Sequence, residues 1–112
     1  MANFHELKTW PEPFMAVWSK LKTYEIREND RDFQVGDLLL LREWVPAHKA
    51  NGSGEYTGKY VVARVVCMTT NGDNSPWAKG LAKDWVVMGI DQEDRGFNAK
   101  GGVDAIPYLH SI

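Results

Sequence analysis

Four polar side chains fall close together, at Lys22, Thr23, Glu25 and Arg27. Alternate residues of a β-strand point to the same face, about 7 Å apart along the strand. Glu25 and Arg27 therefore place a hydrogen-bond acceptor beside a cation, with Lys22 and Trp44 at the ends of the same stretch. Such a pair is either a solvated surface ion pair or part of the lining of a ligand-binding cleft. Spacing alone favours the surface pair, because charged strand faces usually lie in water.

The strand that must position these residues is predicted from its alternation. Tyr24 and Ile26 fall on one face, and the polar side chains fall on the other. Residues 28–32 contain no apolar side chain, and their Asn and Asp residues favour a turn. Gly36 opens a second turn signal, after which the consecutive leucines at 38–41 are typical of a strand buried on both faces.

An amphipathic helix is predicted ahead of this strand. The run from Thr9 to Glu12 has the form of a capping box, with Pro11 in the first turn. Apolar side chains then recur at i, i+3, i+4 and i+7, at Phe14, Val17, Trp18 and Leu21. This single apolar face must pack against a sheet or barrel, and the helix should end near Lys20.

Further strands are predicted on both sides of this region. Strand patterns occur in residues 4–8, 60–68 and 85–90. Residues 45–59 and 69–84 have the composition of loops. Strands at irregular spacing with one early helix favour an α+β fold, a small and mostly antiparallel β-barrel with one N-terminal helix packed against it. Residues 91–112 begin with a polar, glycine-bearing run and are expected to form an extended tail.

The composition is that of a single globular domain. The chain has 112 residues, 44% hydrophobic and 25% charged, enough for a modest core without disulfides or metals. A formal charge of −2 argues against a protein that coats nucleic acid non-specifically, but it allows a local basic cleft that reads one nucleotide. The N-terminus lacks the pattern of a signal peptide, and no apolar run is near the roughly 18 residues of a spanning helix. We therefore expect a cytoplasmic protein without membrane contact.

No metal site and no cofactor are expected. Cys67 is the single cysteine and lies in an apolar run, which predicts a buried structural thiol in a reducing compartment. His5, His48 and His110 are far apart in the sequence, and Cys67 has no partner at ligand spacing. The expected oligomeric state is a monomer or a weak dimer.

The chain resembles a known superfamily in several motifs. ASCH domains of the PUA superfamily resemble it in three places, His5-x-Leu7-Lys8, Phe14 and Lys22-Thr23-x-Glu25-Ile26-Arg27. A small uncharacterised ASCH-related branch of bacteria and phages is similar over two longer runs, from Asn29 to Trp44 and from Trp85 to Ile90. The resemblance covers about residues 4–90 of a single domain, 1–112, and leaves residues 91–112 as a C-terminal extension.

This resemblance implies a PUA-like β-barrel with a cleft beside the helix, and a role in binding RNA or a nucleotide. By position, it implies cleft residues at Lys22, Thr23, Glu25 and Arg27, with His5, Lys8 and Arg31 at the edge. The branch usually has glycine before the Lys-Thr pair, whereas Lys20 and Leu21 occupy that turn here. Because a non-glycine residue disfavours a left-handed turn, the helix is expected to extend by a residue.

Binding of RNA or of a modified nucleotide is the first functional hypothesis. An unstacked base would lie against Trp44 or Trp10, a contact worth about 1–3 kcal/mol. Glu25 would accept a hydrogen bond from an exocyclic amine. Phosphate would be bound by Lys22, Arg27 or Arg31. This hypothesis needs no activated nucleophile.

Two alternatives belong to other classes of protein. One ASCH branch hydrolyses acetylcytidine with a lysine, a threonine three residues on and a distant glutamate. Lys22 matches the lysine, but Glu25 stands three residues on, and a nucleophilic Thr23 would face away from Lys22. The enzyme hypothesis, which includes a ribonuclease, therefore has Glu25 as general base and Lys22 as electrostatic stabiliser. The second alternative is a phage-type protein-interaction module that uses the loop at 45–59 and exposed aromatic residues.

Overall fold

β-Strands dominate the fold. The computed structural model describes residues 3–47, 52–71 and 76–98. Over these residues the chain forms five strands, one α-helix and one short 3-10 helix. In chain order they are β1 (Phe4–Thr9), α1 (Pro11–Trp18), β2 (Tyr24–Glu28), β3 (Leu38–Val45), β4 (Glu55–Thr70), the 3-10 helix (Pro76–Gly80) and β5 (Trp85–Phe97). The strands and the early helix predicted from the sequence are therefore present.

The five described strands form one sheet in the order β1-β3-β4-β5-β2. β1 pairs parallel with β3, and the three other pairings within the described chain are antiparallel. The sheet curls into a half-barrel, so that its edge strands, β1 and β2, approach each other. The prediction of a barrel-like α+β fold is confirmed at this level, with an open seam between β1 and β2.

The apolar core lies between the curled sheet and α1. Leu39 and Leu41 of β3 enter this core together with buried residues of β1, α1, β4 and β5. Leu38 and Leu40 pack into a second cluster with residues of β4. All four leucines are at most 6% exposed, which confirms the predicted burial of residues 38–41 on both faces of their strand.

The start of α1 differs from the sequence prediction. Trp10 is the N-cap and makes no side-chain capping hydrogen bond, and Pro11 occupies the first turn. Thr9 is instead the last residue of β1, where it is buried, so the predicted capping box is wrong. The helix buries Phe14 and Val17 as predicted.

No helix in the described part of the chain is long and apolar enough to cross a membrane.

The end of α1 is a Schellman motif with a lysine where glycine is usual. Lys20 has a left-handed φ of 64°, and its N–H bonds to the carbonyl of Val17 at 2.9 Å. The N–H of Leu21 bonds to the carbonyl of Ala16 at 3.0 Å. The helix therefore ends at Trp18 and is not extended, contrary to both the periodicity and the resemblance. Leu21 leaves the apolar face and is 86% exposed, because the motif reverses the chain there.

β4 and β5 are longer than the sequence predicts. β4 begins at Glu55, inside the predicted loop at 45–59, and β5 continues to Phe97, inside the predicted tail. Polar cross-strand contacts accompany the extension, since Glu93 accepts a hydrogen bond from Arg64 Nε at 2.6 Å. Such polar strands lack the apolar alternation that reveals a strand. Other parts of the predicted loops and tail lie outside the described residues, at 48–51, 72–75 and 99–112.

Cys67 is exposed, which corrects the prediction of a buried thiol. The pairing of β4 with β5 shifts register between Val65 and Cys67. Such a bulge turns the side chains that follow it to the opposite face of the sheet. Val65 therefore faces the core at 1% exposure, whereas Cys67 lies opposite Gly89 on the exposed side.

Candidate ligand-binding cleft

A cleft of about 630 Å³ occupies the seam between β1 and β2. β1 and the start of α1 form one bank, and β2 with the turn after it forms the other. Two exposed indoles, Trp10 and Trp85, line the cleft. Its charged side chains are Lys8, Lys22, Glu25, Arg27, Glu28, Asp30 and Arg31. Four cations against three carboxylates make the cleft weakly positive in a chain whose formal charge is −2.

β2 turns Glu25 and Arg27 inward and exposes its other face, from which Ile26 and Glu28 also line the cleft. Glu25 is 2% exposed, whereas Tyr24 and Ile26 are 44% and 48% exposed. A strand of a half-barrel usually shows the reverse, with apolar residues inside. Because the inner face of β2 borders the cleft, its polar side chains are buried against one another and not against the apolar core.

Glu25 holds two cations at the floor of the cleft. Its Oε1 accepts a hydrogen bond from Lys22 Nζ at 3.3 Å, and its Oε2 accepts one from Arg27 Nε at 3.1 Å. The side chains of Lys22 and Arg27 are 19% and 26% exposed, against 3% for Glu25. The cations therefore lie nearer to solvent than the carboxylate does, and a ligand that enters the cleft meets them first.

Arg27 also ties the two banks together. Its Nη2 donates to the carbonyl of Lys8 and to the hydroxyl of Thr9, both at 3.1 Å. A guanidinium carries five N–H donors, and the two on Nη1 have no partner among the described residues. Lys22 likewise uses one of its three donors on Glu25. The cluster is thus bound to the fold on one side and has free donors on the other.

A second arginine closes the seam further along β1. Arg31 Nη1 donates to the carbonyl of Glu6 at 2.6 Å. β1 is an edge strand that pairs with β3 alone among the described strands, so these carbonyls have no ladder partner. Arg27 and Arg31 donate to these carbonyls the hydrogen bonds that a neighbouring strand would otherwise donate. One parallel and three antiparallel pairings connect β1 to β2 through the sheet, so the two edge strands run antiparallel across the seam.

The structure brings together six of the residues proposed from the sequence, Lys8, Trp10, Lys22, Glu25, Arg27 and Arg31. Thr23, His5 and Trp44 do not line the cleft. Thr23 is exposed and borders a separate hollow of about 100 Å³, because β2 begins only at Tyr24 and the inward alternation does not reach it. Within the described ranges, no group of three or more His, Cys, Asp or Glu side chains is placed to hold a metal ion.

His5 belongs to a separate cluster and is not an edge of the cleft. Its Nε2 lies 2.8 Å from Oδ2 of Asp37, and its ring contacts Phe33 edge-on at 4.7 Å between centroids. Asp37 also accepts the backbone N–H groups of Asn3 and Gln34 at 3.0 and 2.9 Å. Burial alone would raise the pKa of Asp37, but these hydrogen bonds together hold it below its usual value. This cluster joins β1 to the turn before β3.

Trp44 packs against Lys8 and Gly54 and does not line the cleft. Its ring centroid lies 4.8 Å from Lys8 Nζ. Gly54 approaches the indole so closely that a Cβ added there would lie 2.2 Å from it. The stacking role predicted for Trp44 therefore has no surface in the cleft, whereas Trp10 is 59% exposed there.

Eight residues that line the cleft are not among those predicted from the sequence, and two of them, Thr9 and Trp85, bear on what the cleft can bind. The capping-box pattern predicts Thr9 as a helix cap, but Thr9 continues the inward alternation of His5 and Leu7 in β1. That alternation is the sequence signal that could have placed Thr9 in the strand. Trp85 reaches the cleft because β5 pairs with β2 and places Trp85 opposite Glu28. That pairing is non-local, and the sequence pattern does not specify it.

Comparison with known proteins identifies the family of this chain. Residues 4–90 match the family described as Domain of unknown function (DUF3850). A protein of Escherichia phage P2, described as "Uncharacterized 12.9 kDa protein in GpA 3'region", is 38% identical over 88 residues, or 79% of this chain and 68% of the phage protein. Every residue that lines the cleft falls within the matched range. The chain belongs to the DUF3850 family.

Proposed function

We propose that the cleft between β1 and β2 binds RNA or a nucleotide. The observation that carries this proposal is the inverted strand β2, which buries Glu25 beneath Lys22 and Arg27 at the floor of the cleft. Burying charged groups costs free energy that their mutual attraction often fails to offset, so such a cluster is a poor way to stabilise a fold. Its position in an open cleft favours a role with a ligand.

The free donors of this cluster suit a phosphate group. Arg27 Nη1 and Lys22 Nζ each keep two N–H donors that make no hydrogen bond to a described residue, although Lys22 Nζ also lies 5.1 Å from the centroid of the Tyr24 ring. Arginine and lysine are the usual phosphate-binding side chains of proteins. Glu25 holds the two cations side by side and prevents them from moving apart by mutual repulsion. In this proposal Glu25 is a positioning residue and not the acceptor for a base, because its side chain is only 3% exposed.

An exposed indole in the same cleft suits a base. Trp10 is 59% exposed and directly follows Thr9, whose hydroxyl accepts a hydrogen bond from Arg27. Stacking of a base on an aromatic side chain contributes about 1–3 kcal/mol. A ligand that carries both a phosphate and a planar ring uses both features, and nucleotides and RNA are ligands of that kind.

We also propose that this fold is a PUA-like barrel in a cytoplasmic protein. A curled sheet whose edge strands border the cleft, beside one short helix, supports the first part. Superposition of an experimental structure on PUA domains would test the fold. Fractionation of cells that produce the protein would test the location.

A hydrolase that acts on a modified nucleoside or on RNA is the second candidate. The 3.3 Å contact between Lys22 and Glu25 places a cation beside a carboxylate, as such chemistry requires. Both oxygens of Glu25 already accept hydrogen bonds from cations, and Thr23 lies outside the cleft. Binding without turnover is therefore the better supported activity. Turnover of acetylcytidine or RNA that Lys22→Ala abolishes would favour the hydrolase.

Lys22→Ala tests the binding proposal most simply. We expect it to weaken binding of a short oligouridylate at least tenfold, because a hydrogen bond to a charged group contributes about 1.5–3 kcal/mol. The free energy of unfolding should change by less than about 2 kcal/mol, because Arg27 Nε still pairs with the buried Glu25 carboxylate. Isothermal titration calorimetry and urea denaturation measure the two quantities.

Lys79→Ala is the matched control, because Lys79 is an exposed lysine of the 3-10 helix outside the cleft. Its affinity should equal that of the unmodified chain. Equal affinity of Lys22→Ala and Lys79→Ala would contradict the assignment of the cleft. Failure of the unmodified chain to bind any RNA or nucleotide at millimolar concentration would contradict the proposed function itself.

A further inference from the structure

We infer that the cleft takes a single-stranded nucleic-acid segment of at least two consecutive nucleotides, one base on Trp10 and another on Trp85, and not a lone mononucleotide. This inference rests on the proposed function and names its ligand more narrowly. Two observations support it, namely that the indoles of Trp10 and Trp85 both line the cleft and that Arg27 and Arg31 contact β1 at two points along the seam.

The two indoles lie on opposite banks of the cleft. Trp10 directly follows the last residue of β1. Trp85 lies on β5, beyond β2, where it pairs with Glu28. The seam and one whole strand therefore separate their backbones, a distance of about 10 Å or more at about 4.8 Å for each strand spacing.

Each indole offers its own stacking surface. Trp10 and Trp85 are 59% and 41% exposed, and both line the cleft. They are anchored on different strands, because Trp10 follows Thr9, which Arg27 contacts, whereas Trp85 pairs with Glu28, the residue after Arg27. The described residues show no ring contact between the two indoles. We assign one base to each exposed ring, so two bases are needed to cover both.

The cations repeat along the seam in the same way. Arg27 bonds to the carbonyl of Lys8, and Arg31 bonds to the carbonyl of Glu6. These carbonyls are two residues apart on β1, which puts the arginines about 7 Å apart along the strand. In this inference the two cations face successive phosphates of the strand, as in grooves that follow a single-stranded backbone. A mononucleotide would leave one of these cations and one indole without a partner.

Chain-length dependence tests the inference. The full chain is titrated by calorimetry with uridine 5′-monophosphate and with oligouridylates of two, three, four and six nucleotides. We expect the dissociation constant to fall at least tenfold between the mononucleotide and the trinucleotide, and to change by less than about threefold beyond four. Matched thymidylates distinguish RNA from single-stranded DNA, and binding of either strand supports the inference.

Three variants assign the bases. Trp10→Ala and Trp85→Ala should each weaken trinucleotide binding by about 5- to 150-fold, the loss expected for one stacked base. Phe97→Ala removes an exposed aromatic residue outside the cleft and should leave the affinity unchanged. Melting temperatures of all three confirm that they fold, and the length series with the unmodified chain does not depend on them.

The outcomes separate this inference from the proposed function. If uridine 5′-monophosphate binds as tightly as the trinucleotide, or if only one of the two tryptophans affects trinucleotide binding, the inference is overturned while the proposed function stands. If no ligand of any length binds, both fail.

Discussion

Glu25 and Asp37 are both carboxylates at 2% exposure, yet their partners differ. Asp37 accepts two backbone N–H groups and contacts His5, so the main chain itself encloses it. Glu25 accepts hydrogen bonds from two cationic side chains that border the cleft. The first carboxylate is held by groups that move only if the fold opens, and the second by groups that can also reach a ligand.

Under the binding proposal, this difference separates a structural cluster from a ligand site. The backbone N–H groups around Asp37 lose their protein acceptor when the carboxylate is lost, so we expect that cluster to contribute to stability. The cations around Glu25 border solvent and can be hydrated when the carboxylate is lost. Burial of a charge is therefore a poor guide to function until the partners of that charge are known.

Asp37→Ala should give the largest effect on stability. It leaves two backbone N–H groups and His5 without an acceptor, and we expect the free energy of unfolding to fall by about 3 kcal/mol. Urea denaturation measures this loss. Asp30→Ala is the control, because the Asp30 side chain is 67% exposed and its loss should cost less than about 0.5 kcal/mol. A loss of similar size in both variants would break the comparison.

The same cluster should be visible in the pH dependence of stability. The pKa of Asp37 is lowered in the folded state, so its contribution is complete above the unfolded pKa of about 3.9 and is lost as pH falls through the lower folded value. One such group contributes a slope of up to about 1.4 kcal/mol per pH unit in that window. Asp37→Asn should flatten the acid limb. An unchanged acid limb in that variant would show that other groups control it.

Lys20→Gly should give a smaller effect of opposite sign. Lys20 holds a left-handed φ of 64° at the end of α1, and a glycine there relieves about 1 kcal/mol of steric strain. We expect the melting temperature to rise and the affinity of the cleft to stay the same, since the turn that leads to Lys22 keeps its shape. Lys20→Ala, which removes the charge but keeps a Cβ, is the control. A gain in both variants would attribute the effect to charge and not to φ.

Sequence patterns within a single strand predict which side chains of the candidate site share a face. A period of two residues placed Glu25 and Arg27 on one face, and consecutive leucines predicted the doubly buried β3. Only the structure shows that the charged face of β2 points inward, because β2 closes a seam where the core is absent. That orientation depends on which strands become edges, a non-local property.

The errors have the same physical origin. Trp44 and His5 are near the cleft in sequence motifs, but Gly54 and Asp37, distant in sequence, enclose them. Cys67 is exposed because a bulge shifts the register of β4 against β5. Contacts between residues distant in sequence decide where a β-bulge forms, which strands lie at the sheet edge and which strands pair. The hydrophobic periodicity of one segment contains no information about these contacts.

The central claim is that the Glu25 cluster serves a ligand whereas the Asp37 cluster serves the fold, and an amide NMR titration with trinucleotide RNA tests it most directly. We predict large shifts for the backbone signals from Lys22 to Arg27 and for the indole N–H signals of Trp10 and Trp85. Signals of His5 and Asp37 should stay in place. Shifts that concentrate on His5 and Asp37, or an unchanged spectrum at saturating RNA, would contradict the claim.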